Sequence, residues 1–294
     1  MTTAHRVYIA PARARPGLWR LVLGLLLVAL VYLALNGIAF LVYALRYGPD
    51  DASLLFASLG VASTPGSLLL VLATFFPMIL GLALVCYWPH RRSFGSLIGP
   101  APRALRDFFR AIAVFGVIYG AASLAFFVME PTQPNLPVGL WAQLLPLLVI
   151  GLIIQTGAEE LLFRGYLQQQ LAARFASPLI WAVLPSLLFG LLHYDPVRLG
   201  AVAPAAVLAA QFFGLIAADL TVKSGTLGAA WGAHFANNFF AIGVISVDGS
   251  LTGMALRLTD FDIVSLAEAP WLLALDVLPL CLAWLILRRW IITS

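Results

Sequence analysis

Residues 139–167 read GLWAQLLPLLVIGLIIQTGAEELLFRGYL. The stretch up to Ala158 carries no charge and is long enough to cross the hydrocarbon core of a bilayer, which takes about 20 helical residues. Glu159, Glu160 and Arg164 then follow without a break in the apolar pattern. Ionisable side chains at bilayer depth are costly, and by default they mark function. The run is therefore a membrane helix with chemistry inside it.

Working outward, two more apolar runs hold polar groups of the same kind: Phe189-Gly-Leu-Leu-His193 and His234-Phe-Ala-Asn-Asn238. Each set repeats a four-residue spacing. On a helix this puts Glu160 with Arg164, Phe189 with His193, and His234 with Asn238 on shared faces. A carboxylate pair, two histidines and an amide are the parts of a buried hydrolytic centre.

The whole chain agrees with this reading. Its 294 residues are 62% hydrophobic and only 10% charged, and the mean hydropathy is +0.98, far from soluble composition. The expected fold class is all-α: one polytopic bundle of about eight spans around a polar active-site cavity. Apolar runs fall near Leu21–Leu45, Ser67–Trp88, Ala111–Val128, Gly139–Leu167, Pro178–Tyr194, Ala201–Val222, Thr226–Ile245 and Trp271–Leu287. The chain divides into an N-terminal segment (1–20), N-terminal helices (21–138), a core holding the polar motifs (139–245), and a loop with the last helix (246–294). Cys86 and Cys281 both lie in apolar runs, so no disulfide framework or cysteine metal site is expected.

The net charge of +4 does not point to nucleic acid, because the basic residues sit scattered in short inter-helix segments. They sort by side instead. With eight spans, 14 of the 17 Lys and Arg residues fall on one side, leaving only Arg46, Arg198 and Arg257 on the other. That other side collects Asp50, Asp51, Glu130, Asp195, Asp248, Asp260, Asp262 and Glu268. Basic loops favour the cytoplasm, so both termini are expected there, in a bacterial plasma membrane. Counted from the turn near Arg174–Pro178, Glu159 and His193 lie at similar heights, roughly 20–25 Å up antiparallel helices. His234, counted from Lys223, comes out roughly 16 Å deep.

Plainer roles compete for several of these residues. Glu160 and Arg164 read as a supporting ion pair, whereas adjacent Glu159 diverges by about 100° on the helix and has no partner on it. His193 alone would be a histidine satisfied by a backbone carbonyl, and His234 with Asn238 would be interhelical hydrogen bonding. Gly228, Gly232 and Ala236 form a small-residue packing stripe roughly opposite His234. His5 and His90 are expected to be solvated in basic loops, Asp219 to pair with Lys223, and Asp276 to hydrogen-bond within the bundle.

Glu-Glu-x-x-x-Arg, Phe-x-x-x-His and His-x-x-x-Asn, in this order on membrane helices, resemble the signature of the CPBP family of intramembrane proteases. That family includes type II CAAX prenyl endopeptidases and bacteriocin-immunity-like (Abi) proteins, and the resemblance spans Gly139 to about Ile245. It implies that Glu159 and His193 activate water, that His234 and Asn238 stabilise the oxyanion, and that Glu160 and Arg164 support the site. The implied partners are the lipid bilayer and a peptide or protein substrate, including a membrane-associated one, with no nucleic acid. No cofactor is favoured. The sequence leaves open a metalloprotease in which Glu159, His193 and His234 bind a divalent metal such as zinc, although no His-Glu-x-x-His helix is present. The reading from another class is a non-catalytic immunity factor, scaffold or transporter that uses the same polar cluster for binding.

Overall fold

The computed structural model describes residues 2–267 and 271–293. Glu268 and the side chain of Asp276 lie outside the described residues. The chain opens with α1 (Thr3–Arg13), capped by Thr2, whose side chain accepts from the His5 amide. His5, Tyr8, Ile9 and Ala12 are its buried residues, the i, i+3, i+4, i+7 pattern of an amphipathic helix. After Pro16, α2 (Leu18–Tyr47) runs for 30 residues with only Leu21, Gly24 and Val28 buried. Leu26, Leu30 and Leu33 are among its outward-facing side chains. An apolar helix so little buried suits lipid, because all its backbone hydrogen bonds are internal.

Next come α3 (Pro49–Val61), α4 (Pro65–Ala73), α5 (Phe76–Tyr87) and α6 (Ala101–Met129). Helix α7 (Val138–Glu160) passes into a π-helical stretch, Leu161–Gln168, and then α8 (Gln169–Arg174). A second π stretch, Leu179–Val183, leads into α9 (Leu184–Leu191), with short α10 (Pro196–Leu199), α11 (Ala203–Ser224) and α12 (Gly228–Asn238) following. A third, Phe239–Val244, extends α12, and α13 (Trp271–Thr293) is the last helix described.

Among the described residues, five helical segments are long and apolar enough to cross a membrane: Leu18–Tyr47, Pro65–Tyr87, Ala101–Met129, Val138–Arg174 and Pro196–Ser224. Helix also occupies the other three expected places, at Leu179–Leu191, Gly228–Val244 and Trp271–Thr293. The molecule is a polytopic helical bundle. The sequence reading did not anticipate α1, α3, or a small sheet of β1 (Thr132–Pro134), β2 (Ile245–Asp248) and β3 (Arg257–Asp262). In that sheet β3 lies in the middle, antiparallel to β1 and parallel to β2.

The small-residue stripe makes the closest helix contact. A Cβ on Gly228 would stand 1.9 Å from the Ala104 carbonyl oxygen, and one on Gly232 would stand 2.3 Å from that of Phe108. Glycine thus lets α12 lie against α6 backbone to backbone, which fixes the rotation that turns His234 toward α7. At one end of the bundle Thr2 Oγ1 donates to the Val222 carbonyl at 2.7 Å, Gln169 Nε2 to that of Tyr8 at 2.8 Å, and the Leu227 amide to that of Ile98 at 2.9 Å. At the other, Asn135 Nδ2 donates to the carbonyls of Thr252 and Ala255.

Three minor expectations are corrected. His5 and His90 are buried, not solvated, because α1 folds back under the bundle and the segment after α5 turns inward. His5 lies against the Trp181 ring at 5.0 Å. Asp219 does not pair with Lys223: its Oδ2 accepts from Trp284 Nε1 at 3.0 Å and Arg288 Nε at 2.9 Å, so α13 supplies the partners instead.

Candidate active site

The centre of the site is a chain of buried charge. Arg164 Nη1 donates to Glu160 Oε1 at 2.9 Å, and both side chains are at most 1% exposed. The same oxygen lies 2.9 Å from His234 Nδ1. A carboxylate oxygen only accepts, so Nδ1 donates to it, and Nε2 is turned toward Glu159. Glu159 Oε2 stands 3.5 Å from that Nε2. This Glu159 oxygen is buried without a hydrogen-bond partner, as are Glu160 Oε2 and Arg164 Nη2.

The local fold produces this division of labour. Glu160 is the last α-helical residue of α7, and the π stretch begins at Leu161. The Glu160–Arg164 pair therefore bridges the change of helix type, a feature common at functional sites. The adjacent carboxylate points elsewhere, toward the second nitrogen of His234. Gly157 lets the helices close on each other: a Cβ there would meet Trp231 Cζ2 at 2.6 Å. Trp231 Nε1 in turn donates to Thr156 Oγ1 at 3.2 Å.

Phe189 is the hub. The Arg164 guanidinium lies over its ring at 4.6 Å. The rings of His193, Phe163 and His234 approach it at 4.8, 5.1 and 5.9 Å. Phe213 packs against the His234 ring at 4.9 Å. His234 thus has aromatic walls on its faces and carboxylates at its edges.

His193 departs from its expected place. Helix α9 stops at Leu191, and His193 lies in the turn beyond the cap at Leu192, with an exposed side chain. Its Nδ1 is 2.8 Å from the Phe189 carbonyl. A carbonyl only accepts, so Nδ1 donates and the Nε2 lone pair is left open. Asn238 Nδ2 donates to Gln155 Oε1 at 2.9 Å, and its own Oδ1 accepts from Asn237 Nδ2 at 3.2 Å. Tyr119 OH donates to Asn237 Oδ1 at 2.8 Å.

The structure therefore joins Glu159, Glu160, Arg164 and His234 in one cluster, with Phe189 linking it to His193. Asn238 belongs to a neighbouring amide chain. Gln155, Phe213, Trp231 and Tyr119 were not singled out in the sequence. Gln155 had a signal, since it lies four residues before Glu159 and shares its face. Among the described residues no three His, Cys, Asp or Glu side chains converge as a metal site.

Residues 140–240 match the family model described as type II CAAX prenyl endopeptidase, Rce1-like. The chain is also similar to the uncharacterized protein YyaK of Bacillus subtilis (strain 168), at 32% identity over 180 residues, or 60% of this chain and 60% of that protein. It thus spans about three-fifths of that relative's length. No solved structure matches. The region similar to this Rce1-like family model holds Glu159, Glu160, Arg164, His193, His234 and Asn238.

Proposed function

We propose that the chain is an intramembrane endopeptidase that hydrolyses a peptide bond in a membrane-associated peptide or protein. Glu159 and His193 activate the attacking water, His234 and Asn238 stabilise the developing oxyanion, and Glu160 with Arg164 holds His234 in place. The observation that carries this reading is the buried, unpartnered Glu159 Oε2 beside His234 Nε2. Nearly all buried polar atoms find partners, and one that does not calls for an explanation. An acceptor waiting for a water proton supplies it.

Each proposed role has a geometric basis. Arg164 and His234 both hold Glu160 through Oε1, whereas Glu159 is not paired with arginine, and it is the carboxylate assigned to proton transfer. The open Nε2 of His193 is the second base, carried on the turn that follows α9. Asn238 has one amide hydrogen committed to Gln155, and the other remains for the carbonyl oxygen. The proposed mechanism is metal-independent, and the proposed setting is a bacterial plasma membrane with both termini in the cytoplasm.

The test is cleavage by purified, reconstituted protein. Glu159→Gln, His193→Ala and His234→Ala should each abolish turnover in protein that still unfolds cooperatively. Asn238→Ala should lower kcat by about 10²–10³, as loss of an oxyanion donor does. Full activity in folded variants at all of Glu159, His193 and His234 would overturn the proposal, and a cellular protective effect surviving Glu159→Gln would point to a binding role instead. Stoichiometric zinc with lasting inactivation by a chelator would replace the metal-independent mechanism.

A further inference from the structure

The second concentration of buried polar chemistry lies at the end of the bundle that collects the basic residues. Here the chain leaves α5 and turns through Trp88 to Ser93 before α6. Arg92 Nη1 donates to Gln169 Oε1, and Gln169 Nε2 donates to the carbonyls of Tyr8 and Ser96 at 2.8 and 2.9 Å. His90 Nδ1 accepts from Gln170 Nε2 at 3.1 Å, so Nε2 carries the proton toward Tyr166 OH at 2.9 Å.

The Arg92 guanidinium is the unbalanced member. Its Nε and Nη2 are buried without hydrogen-bond partners. No carboxylate forms an ion pair with it among the described residues, and burial lowers its pKa, opposed by Cys86, Tyr8 and Tyr166 and by a side-chain hydrogen bond with Cys86. The surroundings add positive charge, since Arg15, Arg20 and Arg92 all act on His90. A buried cation without a counter-ion costs several kcal/mol. An anion beside Arg92 would offset that cost.

A cavity of about 540 Å³ opens beside it, lined by Tyr87, Trp88, Arg91, Arg92 and Ser93, within the size range of small-ligand sites. Arg91 adopts a left-handed backbone at φ 47°, a conformation uncommon for residues other than glycine. Tyr87 and Trp88 are both exposed at the end of a span, the usual position of aromatic residues at headgroup level.

We propose that this cavity binds an anionic phosphate group, which Arg91 and Arg92 grip with guanidinium donors while Ser93 borders the site. Guanidinium matches phosphate oxygens in bidentate fashion. The group comes either from an anionic lipid headgroup, with its chains in the bilayer beside Trp88, or from free phosphate. The site is separate from the proposed catalytic cluster but mechanically near it. Gln169 follows the π stretch that carries Arg164, and Tyr8 OH donates to the carbonyls of Leu97 at 2.5 Å and Arg164 at 3.4 Å.

The test uses the full chain in neutral detergent, with binding read by native mass spectrometry and by the shift in thermal midpoint. The probes are phosphatidylglycerol, phosphatidylcholine and inorganic phosphate. Phosphatidylglycerol should bind at least tenfold more tightly than phosphatidylcholine. Arg91→Gln and Arg92→Gln should each lose about tenfold in affinity, in keeping with one charge-assisted hydrogen bond, while Arg6→Gln on the exposed face of α1 changes nothing. Arg92→Lys, which keeps the charge and tests the fork, should fall between. Inorganic phosphate that binds and competes at the same residues would identify the free ion as the ligand, whereas failure to compete would assign the lipid headgroup. Equal affinity for the two lipids with no phosphate binding, or wild-type affinity in folded Arg91→Gln and Arg92→Gln proteins, would overturn the proposal. These readouts do not depend on peptide cleavage.

Discussion

Arg164 concentrates several roles in one side chain. It supplies the cation for Glu160, covers the Phe189 ring, and limits how close α11 can come, since a Cβ on Gly214 would stand 3.2 Å from Nη2. Removing one partner of a buried ion pair leaves a charge with neither water nor counter-ion, at a cost of about 3–5 kcal/mol. Arg164→Ala should therefore destabilise the folded protein by about that amount, measured by unfolding in mixed micelles. Glu159→Gln should leave stability nearly unchanged, because its Oε2 gives up no hydrogen bond. The contrast separates the two adjacent glutamates: one holds the site together, and the other is available for chemistry. A comparable loss of stability in both variants would contradict that division.

At the scale of elements, the motif residues were legible because charge in an apolar run is conspicuous wherever the helices end. Their partners were less so. Gln155, Phe213 and Trp231 are ordinary residues in a membrane helix, and which of them faces His234 depends on helix rotation. Here the backbone contact of α12 with α6 sets that rotation, and it is Phe213 that packs against His234, while Gln155 pairs with Asn238 and Trp231 with Thr156. The glycine stripe of α12 was legible, and it is the strongest steric constraint in the core. Gly232→Val places branched carbon where the Phe108 carbonyl already stands, so α12 must separate from α6. The expected outcome is a destabilisation of about 3 kcal/mol or more, beyond ordinary overpacking, with activity lost as His234 moves away from Glu160. In α1 the arginines mask an amphipathic pattern. The spacing of His5, Tyr8, Ile9 and Ala12 already described a buried face. That docking has a pH signature, since burial holds both His5 and His90 down at about 4. Both stay neutral in the folded state, while the unfolded chain takes up protons below its ordinary histidine pKa near 6.5. Stability should be complete above pH 6.5 and fall as pH drops toward 4, by on the order of a few kcal/mol. His5→Phe, which keeps a ring against Trp181, should flatten part of that decline in unfolding curves recorded between pH 4 and 7.

At the scale of the whole molecule, the ends of the bundle differ in charge in the way the sequence suggested. Thr2, Ile98, Gln169 and Val222 meet at one end, near Arg13, Arg92, Arg174 and Lys223 in the chain. The small sheet is part of the other end and carries Asp248, Asp260 and Asp262. Arg257 lies on that acidic end but is tied down: its Nε and Nη2 donate to Thr132 at 2.7 Å, and its guanidinium covers the Phe127 ring at 4.9 Å. It keeps its charge, but a single arginine beside three aspartates leaves the sheet net acidic. The asymmetry predicts the direction of insertion when the protein is expressed in bacterial cells. With Cys86 and Cys281 replaced by Ser, a membrane-impermeant maleimide applied to intact cells should label Asp260→Cys and spare Arg174→Cys until the membrane is broken. Both positions are exposed in the fold, so the barrier each reports is the bilayer rather than burial. The opposite pattern would reverse the orientation and put the phosphate-binding cavity on the outer leaflet, while labelling of both in intact cells would contradict a bundle whose two ends lie on opposite sides of the membrane.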